Sequence, residues 1–286
     1  MENVDRIAPR DVCLEVNRLN LHYLDWGNCE NQTILLLHGF MGHAHVWDDL
    51  AEELVGHCYN VLALDQRGHG ESQWSEKGEY RIDDFFADIA DFVEQLKLRD
   101  LILIGHSMGG RNALFYSACA AEKVSRLILV DARVGNSPAS SSAFRQLLNR
   151  LPLQSASLDE IVHLISGHYP DLSEDTCRHL AAYGYKKIDG DVFVPRYDTK
   201  MSLECQQQGF RVEEMWPFLE NVSCPVLVVR GEDSPFVSRE DAIKMCDLLA
   251  RAEWREIPRA THMPVQENPD ACKKVFSDFL AACYET

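Results

Sequence analysis

The sequence predicts an α/β protein: a doubly wound, mostly parallel sheet flanked by helices and interrupted by a helical insertion. Three observations predict it. Short apolar runs such as Leu101-Ile102-Leu103-Ile104 are continuous rather than alternating, the pattern of strands buried on both faces of a parallel sheet. Segments between them repeat apolar residues at helical spacing, as in Ile82, Phe85, Phe86, Ile89, Phe92, Val93 and Leu96. One pentapeptide, Gly105-His106-Ser107-Met108-Gly109, stands where a strand hands over to a helix.

The elements follow in order. Val12 to Val16 and Leu21 to Trp26 read as an N-terminal hairpin across Asn17-Arg18-Leu19-Asn20. Thr33 to Leu37, Val61 to Leu64, Leu101 to Ile104 and Leu127 to Val130 read as buried strands. Trp47 to Val55, Ile82 to Leu96 and Arg111 to Ala121 read as the helices between them. The rhythm breaks after Asp131. From about Arg133 to Glu220 the chain is polar and helical with no strong strand. Leu147, Leu148 and Leu151, then Ile161, Val162 and Ile165, then Leu180 and Tyr183 mark short amphipathic helices there. Strands resume at Pro225 to Val229 and Glu253 to Ile257, and Phe276, Phe279 and Leu280 belong to a closing helix. This gives a core of residues 1–132 and 221–286, and an insertion of residues 133–220 after the sixth strand. An insertion over the carboxyl edge of such a sheet, where ligands bind, is expected to act as a cap.

The chain has 286 residues, 46% of them hydrophobic, which suits one large α/β domain with an insertion, or two small domains. A formal net charge of -17 repels nucleic acid and anionic membrane, so neither is an expected partner. No apolar run approaches the roughly 18 residues a membrane span needs. The start, Met1 to Arg6, is polar and lacks the apolar centre of a signal peptide. Ten cysteines are scattered without a C-x-x-C pair and read as reduced thiols, so a cytoplasmic setting is expected.

The pentapeptide carries the chemistry. Three fixed positions match by chance in about one protein of this length in ten, so the flanking strand and helix give the pattern its weight. A serine on a tight strand-to-helix turn exposes its hydroxyl, and the next N–H lies at a helix N-terminus suited to a developing anion. Ser107 then needs a base. His262, in Ala260-Thr261-His262-Met263-Pro264, follows the last strand and reaches the same sheet edge. Imidazole takes the serine proton and returns it to the leaving group. His38-Gly39-Phe40-Met41-Gly42 follows the third strand, and the N–H groups of Phe40 and Met108 are the expected oxyanion donors. Two carboxylates follow strands on the correct side, Asp131 and Asp233; either would hold the imidazole in its working tautomer.

With these motifs the chain resembles the α/β-hydrolase superfamily, of the capped, cofactor-independent kind. The resemblance rests on His38 to Gly42, Asp65-Gln66-Arg67-Gly68-His69-Gly70-Glu71-Ser72, Gly105 to Gly110 and the His262 loop. It implies an eight-stranded sheet, Ser107 as nucleophile, His262 as base, and Phe40 and Met108 as the oxyanion hole. Arg67 is expected to brace neighbouring loops. The chain departs from the family at the acid, usually four residues into a turn after the seventh strand. Counting from Gly231, that place holds Ser234, with Asp233 one residue early. Some relatives draw the acid from the end of strand six, where Asp131 stands. Asp131 is therefore the favoured acid and Asp233 the alternative.

The leading functional reading is a serine hydrolase that cleaves a small-molecule carboxylic ester, thioester or lactone through an acyl-enzyme. A carbon–carbon bond hydrolase, a cofactor-free perhydrolase and a ligand receptor on the same fold are the alternatives. No cofactor or metal is implied: His43-Ala44-His45 lacks a clear third ligand and reads as a solvated loop. In the insertion, Tyr183, Tyr185, Lys186, Lys187, Arg196 and Tyr197 either contact a polar acyl group or face solvent, and the same choice applies to Gln206-Gln207-Gln208.

Overall fold

The computed structural model describes residues 8–27, 31–148, 152–188, 190–201 and 214–282. The main sheet contains β1 (Arg10–Val16), β2 (Leu19–Asp25), β3 (Thr33–Leu37), β4 (Asn60–Leu64), β5 (Leu101–His106), β6 (Val124–Val130), β9 (Val226–Gly231) and β10 (Ala252–Ile257). Their spatial order is β1-β2-β4-β3-β5-β6-β9-β10. β1 and β2 pair antiparallel, as do β2 and β4; the remaining neighbours are parallel. The hairpin is tighter than the sequence reading had it. Asn17 and Arg18 both take positive φ, so two residues close the turn and Val16 pairs with Leu19.

Continuous apolar strands serve two cores at once, because successive side chains point to opposite faces. Leu35, Leu37, Leu103, Leu127, Leu129 and Val228 join one core. It is closed by α2 (Ile82–Gln95), α3 (Met108–Cys119) and α7 (Arg239–Leu248), through residues such as Ile89, Phe92, Leu114 and Met245. Ile34, Leu36, Ile102, Ile104, Ile128 and Val229 join the other. That side is closed by α1 (Asp48–Gly56) and α9 (Pro269–Ala281), through Leu50, Leu54, Phe276 and Phe279. Burying one such aliphatic side chain contributes about 1.5–3 kcal/mol, which is why these runs tolerate no charge.

Between β6 and β9 lie α4 (Pro138–Leu148), α5 (Leu158–His168) and α6 (Glu174–Gly184). Ser157 and Ser173 cap α5 and α6, accepting from the N–H groups of Glu160 and Thr176. Ile161, Ile165, Leu180, Ala181 and Tyr185 form a small core of their own. One expectation is corrected here. The segment is not purely helical: β7 (Tyr185–Ile188) and β8 (Val192–Pro195) form an antiparallel hairpin. Tyr185-Lys186-Lys187-Ile188 hides the strand because three of its four residues face solvent, leaving no apolar run to read.

Candidate active site

Ser107 lies between β5 and α3 with φ 51° and ψ -112°. Such a backbone costs about 1–3 kcal/mol and persists only where the surroundings impose it. The surroundings are glycines in contact with backbone. A Cβ on Gly105 would lie 2.4 Å from the Gly109 carbonyl oxygen, and one on Gly109 would lie 2.2 Å from that of Leu37. The turn is therefore too crowded for side chains at Gly105 and Gly109.

His262 lies in the loop between β10 and α8 (Pro264–Glu267). Its Nδ1 donates to Asp131 Oδ1 at 2.8 Å. Asp131 is fully buried at the end of β6, with φ 45°. The same Oδ1 accepts the Ser234 hydroxyl at 2.7 Å, and Oδ2 accepts the Gly231 N–H at 3.0 Å. The structure thus brings Asp131, not Asp233, to His262. Asp233 is exposed, and its N–H donates to Ala260. Glu267 secures the loop on both sides of His262. It accepts from the N–H and hydroxyl of Thr261 and from the N–H of Met263, at 2.7–3.0 Å.

His106 completes the contact between the β5 turn and this loop. Its Nε2 donates to the His262 carbonyl at 2.6 Å, and the two rings lie 4.7 Å apart. Burial, followed by the neighbouring His262, pushes the His106 imidazole down to about 3. It is therefore neutral near pH 7, with its proton on Nε2.

Met108 opens α3, so its N–H has no partner within the helix. Phe40 sits in the loop after β3, its ring 5.6–5.9 Å from those of His69, Phe144 and Tyr197. That loop is fixed from beneath by neutral His38. Its Nδ1 donates to the Gly39 carbonyl and its Nε2 accepts the Gln66 N–H. Burial lowers His38 to about 3. Gly39 is required by proximity, since a Cβ there would lie 2.6 Å from His106 Nδ1 and 3.2 Å from Ser107 Cβ.

Ser107, His262 and Phe40 line one cavity of about 110 Å³. Its walls come from both layers: Met41, Val46, Trp47 and Val265 below, and Leu147, Ile165, Tyr169, Leu180, Tyr185 and Tyr197 from the segment between β6 and β9. No lysine or arginine is among the described residues that line it. His43 also lines it and is 3% exposed, which corrects the expectation of a solvated His43-Ala44-His45 loop. His45 is part-buried, bonded to Asp48 and stacked on Tyr183 at 3.6 Å. The insertion's polar cluster divides. Tyr185 and Tyr197 reach the cavity, whereas Lys186 lies over the Trp74 ring, Lys187 pairs with Asp191 and Arg196 pairs with Glu71. Gln206-Gln207-Gln208 lies outside the described residues. Arg67 is buried in a two-point pair with Asp88 at 2.6 and 2.7 Å, donates to the Glu79 carbonyl and does not line the cavity. Among the described residues no group of three His, Cys, Asp or Glu could hold a metal ion, and no helix is long and apolar enough to cross a membrane.

Three contacts escaped sequence reading: His106, Ser234 and Glu267. His106 and Ser234 act on the histidine loop or its carboxylate partner across more than a hundred residues, and Glu267 acts on that loop from the helix that follows it. Only Ser234 left a trace, as the residue occupying the turn position where an acid was expected.

Fold and site together define a hydrolase-type scaffold, and comparison with known proteins agrees. The family model for the alpha/beta hydrolase fold matches residues 32–159. A 2-(acetamidomethylene)succinate hydrolase of Mesorhizobium japonicum is 27% identical over 94% of both chains. A solved structure of an E-2-(acetamidomethylene)succinate hydrolase superposes with a TM-score of 0.84 at 25% identity, covering 96% of this chain and all of the other. An esterase of Mycobacterium tuberculosis is 25% identical over 85% of this chain and 81% of its own. The chain has the α/β-hydrolase fold, and it is similar in sequence to hydrolases of that fold along most of its length.

Proposed function

We propose that the protein is a serine hydrolase that cleaves a small, uncharged carboxylic ester, thioester or lactone through an acyl-enzyme. The observation that carries this reading is the constellation at one cavity: Ser107 on a strained turn, and His262 held through Nδ1 by buried Asp131. With Nδ1 committed to Asp131, Nε2 is left to accept the Ser107 proton. The serine oxygen attacks the carbonyl carbon, and the oxyanion forms against the N–H groups of Phe40 and Met108. Loss of one such donor typically costs about 10²–10³ in rate. His262 then protonates the leaving alcohol, and water activated by the same imidazole releases the acid. Asp233 takes no part.

The cavity sets the substrate class. A site of roughly 150 Å³ admits benzene, so one of about 110 Å³ suits an acyl group of a few carbons. Its apolar walls favour an uncharged group. The segment of residues 133–220 acts as a cap that supplies the far wall. The unpaired thiols of the described cysteines support a cytoplasmic setting.

A second reading is favoured by the Mesorhizobium relative, whose match spans nearly the full length of both chains. A succinate bears two carboxylates, however, and the described lining of this cavity offers neither lysine nor arginine to meet them. The test is hydrolysis of p-nitrophenyl esters from acetyl to decanoyl, with 2-(acetamidomethylene)succinate in parallel, by wild type and Ser107→Ala. The expected result is turnover that favours short acyl groups and vanishes in the variant. Turnover of the succinate alone would replace the ester reading with the second. No turnover of either would leave a receptor role.

A further inference from the structure

We propose that Ser234 is a positioning residue of the catalytic histidine. Its hydroxyl donates to the same Asp131 oxygen that accepts His262 Nδ1, and so sets how strongly Asp131 holds the His262 proton. The proposal rests on the reading of Ser107, His262 and Asp131 as a triad.

The geometry is specific. Ser234 Oγ donates to Asp131 Oδ1 at 2.7 Å while accepting the N–H groups of Phe236 and Val237, each at 3.1 Å. Those two donors fix the hydroxyl's lone pairs and leave its proton one destination, the carboxylate. Two backbone donors also polarise the O–H, which strengthens what it gives to Asp131. Asp131 Oδ1 thus shares its negative charge between an imidazole and a hydroxyl. A hydrogen bond to a carboxylate favours its charged form and makes it a weaker base. Removing the hydroxyl concentrates charge on the oxygen facing Nδ1, which favours imidazolium. The His262 midpoint must then rise.

The other groups facing His262 stay as they are in this perturbation. His106 lies at 4.7 Å from the β5 side and donates to the His262 carbonyl. Ser107 shares the cavity, and Glu267 of α8 accepts backbone N–H groups on either side of His262. On the β9 turn, Glu232 accepts the Arg259 N–H and Asp233 is exposed. The ring of Phe236, at 4.1 Å, is uncharged.

The test is direct titration of His262 by nuclear magnetic resonance in protein labelled at histidine nitrogen. The signal is assigned by its loss in His262→Gln. Ser234→Ala should raise the midpoint by roughly half a pH unit, a fraction of what a direct hydrogen bond to a carboxylate is worth. Ser234→Thr, which keeps the hydroxyl, should restore the wild-type value. In Asp131→Asn the same Ser234→Ala change should move nothing further, because no carboxylate remains to transmit it. Ser234→Cys, a weaker donor of similar shape, should shift the midpoint upward by less and carries the test where the alanine variant does not fold. An unmoved midpoint in folded Ser234→Ala overturns the proposal. So does an equal shift with Asp131→Asn in place, which would make Ser234 a turn-former only. Absence of ester turnover by wild type would instead sink the triad's role in ester hydrolysis, while the titration would still report the coupling.

Discussion

Replacing Asp131 by Asn tests the site at its most constrained atom. The carboxylate accepts two donors on Oδ1, His262 Nδ1 and the Ser234 hydroxyl, and a third on Oδ2, the Gly231 N–H. An asparagine has one acceptor and one donor edge, so it cannot serve both sides. With its oxygen toward Gly231, its NH₂ faces His262 and forces the proton to Nε2, where the ring can no longer accept the Ser107 proton. With its oxygen toward His262, two N–H donors meet at Gly231 in a fully buried place. The first outcome costs up to about 10⁴ in rate, which corresponds to about 5.5 kcal/mol of barrier. The second leaves a buried donor unsatisfied and costs about 1–3 kcal/mol of stability. The measurement is kcat/KM on a short p-nitrophenyl ester, with denaturant unfolding beside it. Asp131→Asn should lose about 10³–10⁴ in kcat with little change in KM, and Asp233→Asn should stay within about threefold of wild type. A comparable loss in Asp233→Asn, or a nearly active Asp131→Asn, would refute the reasoning.

Two further expectations follow from buried titratable and charged groups. His38, His43, His69 and His106 are all held down by burial, to about 3, 4, 4 and 3 respectively. Their folded values lie below the ordinary 6.5, so the unfolded chain binds more protons between those limits. The stability they contribute is complete above about pH 6.5 and is lost as pH falls toward 4, at up to about 1.4 kcal/mol per unit for each ring. His22 is raised, despite burial, by Asp65 and Asp11, so its contribution is complete below about pH 6.5 and does not offset this loss. Unfolding midpoints should therefore drop steadily from about pH 7 to pH 5; a flat profile would show that these rings are not buried neutral. Arg67→Met should leave Asp88 buried without its cation and cost about 3–5 kcal/mol, seen as a lower Tm with KM unchanged in the folded protein. A raised KM at unchanged Tm would instead make Arg67 a substrate contact.

How legible the molecule was depended on whether a residue's role was local. Strands β3 to β6 announced themselves because residues buried on both faces leave an unbroken apolar run. The Ser107 turn was readable because its glycines, demanded by close backbone on both sides, stand at fixed spacing around the serine within five residues. The β7–β8 hairpin was not, since Lys186, Lys187 and Ile188 face solvent and no alternation survives. The His43 loop misread for a related reason. A histidine written between glycine and alanine looks polar, but its burial is decided by Gly184 and Leu180, which arrive from a helix well over a hundred residues away. The choice between Asp131 and Asp233 was likewise open in sequence. Both follow strands, and only the third dimension shows that one is buried against His262 and the other faces out.

The register of three neighbouring strands explains how a carboxylate at the end of β6 reaches the His262 loop. His106 pairs with Val130, and Val130 with Val229, so β5 and β6 end level while β9 runs two residues further beside β10. The ladder runs one step further at both junctions: Ser107 donates its N–H to Val130 and Asp131 donates its own to Val229, at 2.9 and 2.7 Å. Each residue then turns with positive φ. Ser107 and Asp131 are thus the same event on adjacent strands, a polar side chain thrown out of the sheet edge at the first residue past the ladder. One strand further, the turn at Gly231 lets the chain pass within 2.0 Å of a Cβ's place beside the Thr261 carbonyl, which brings the His262 loop down onto both. With the carboxylate already delivered by β6, the β9 turn is free to carry a hydroxyl instead. Ser234 is that hydroxyl, and it reaches the same carboxylate oxygen as the histidine.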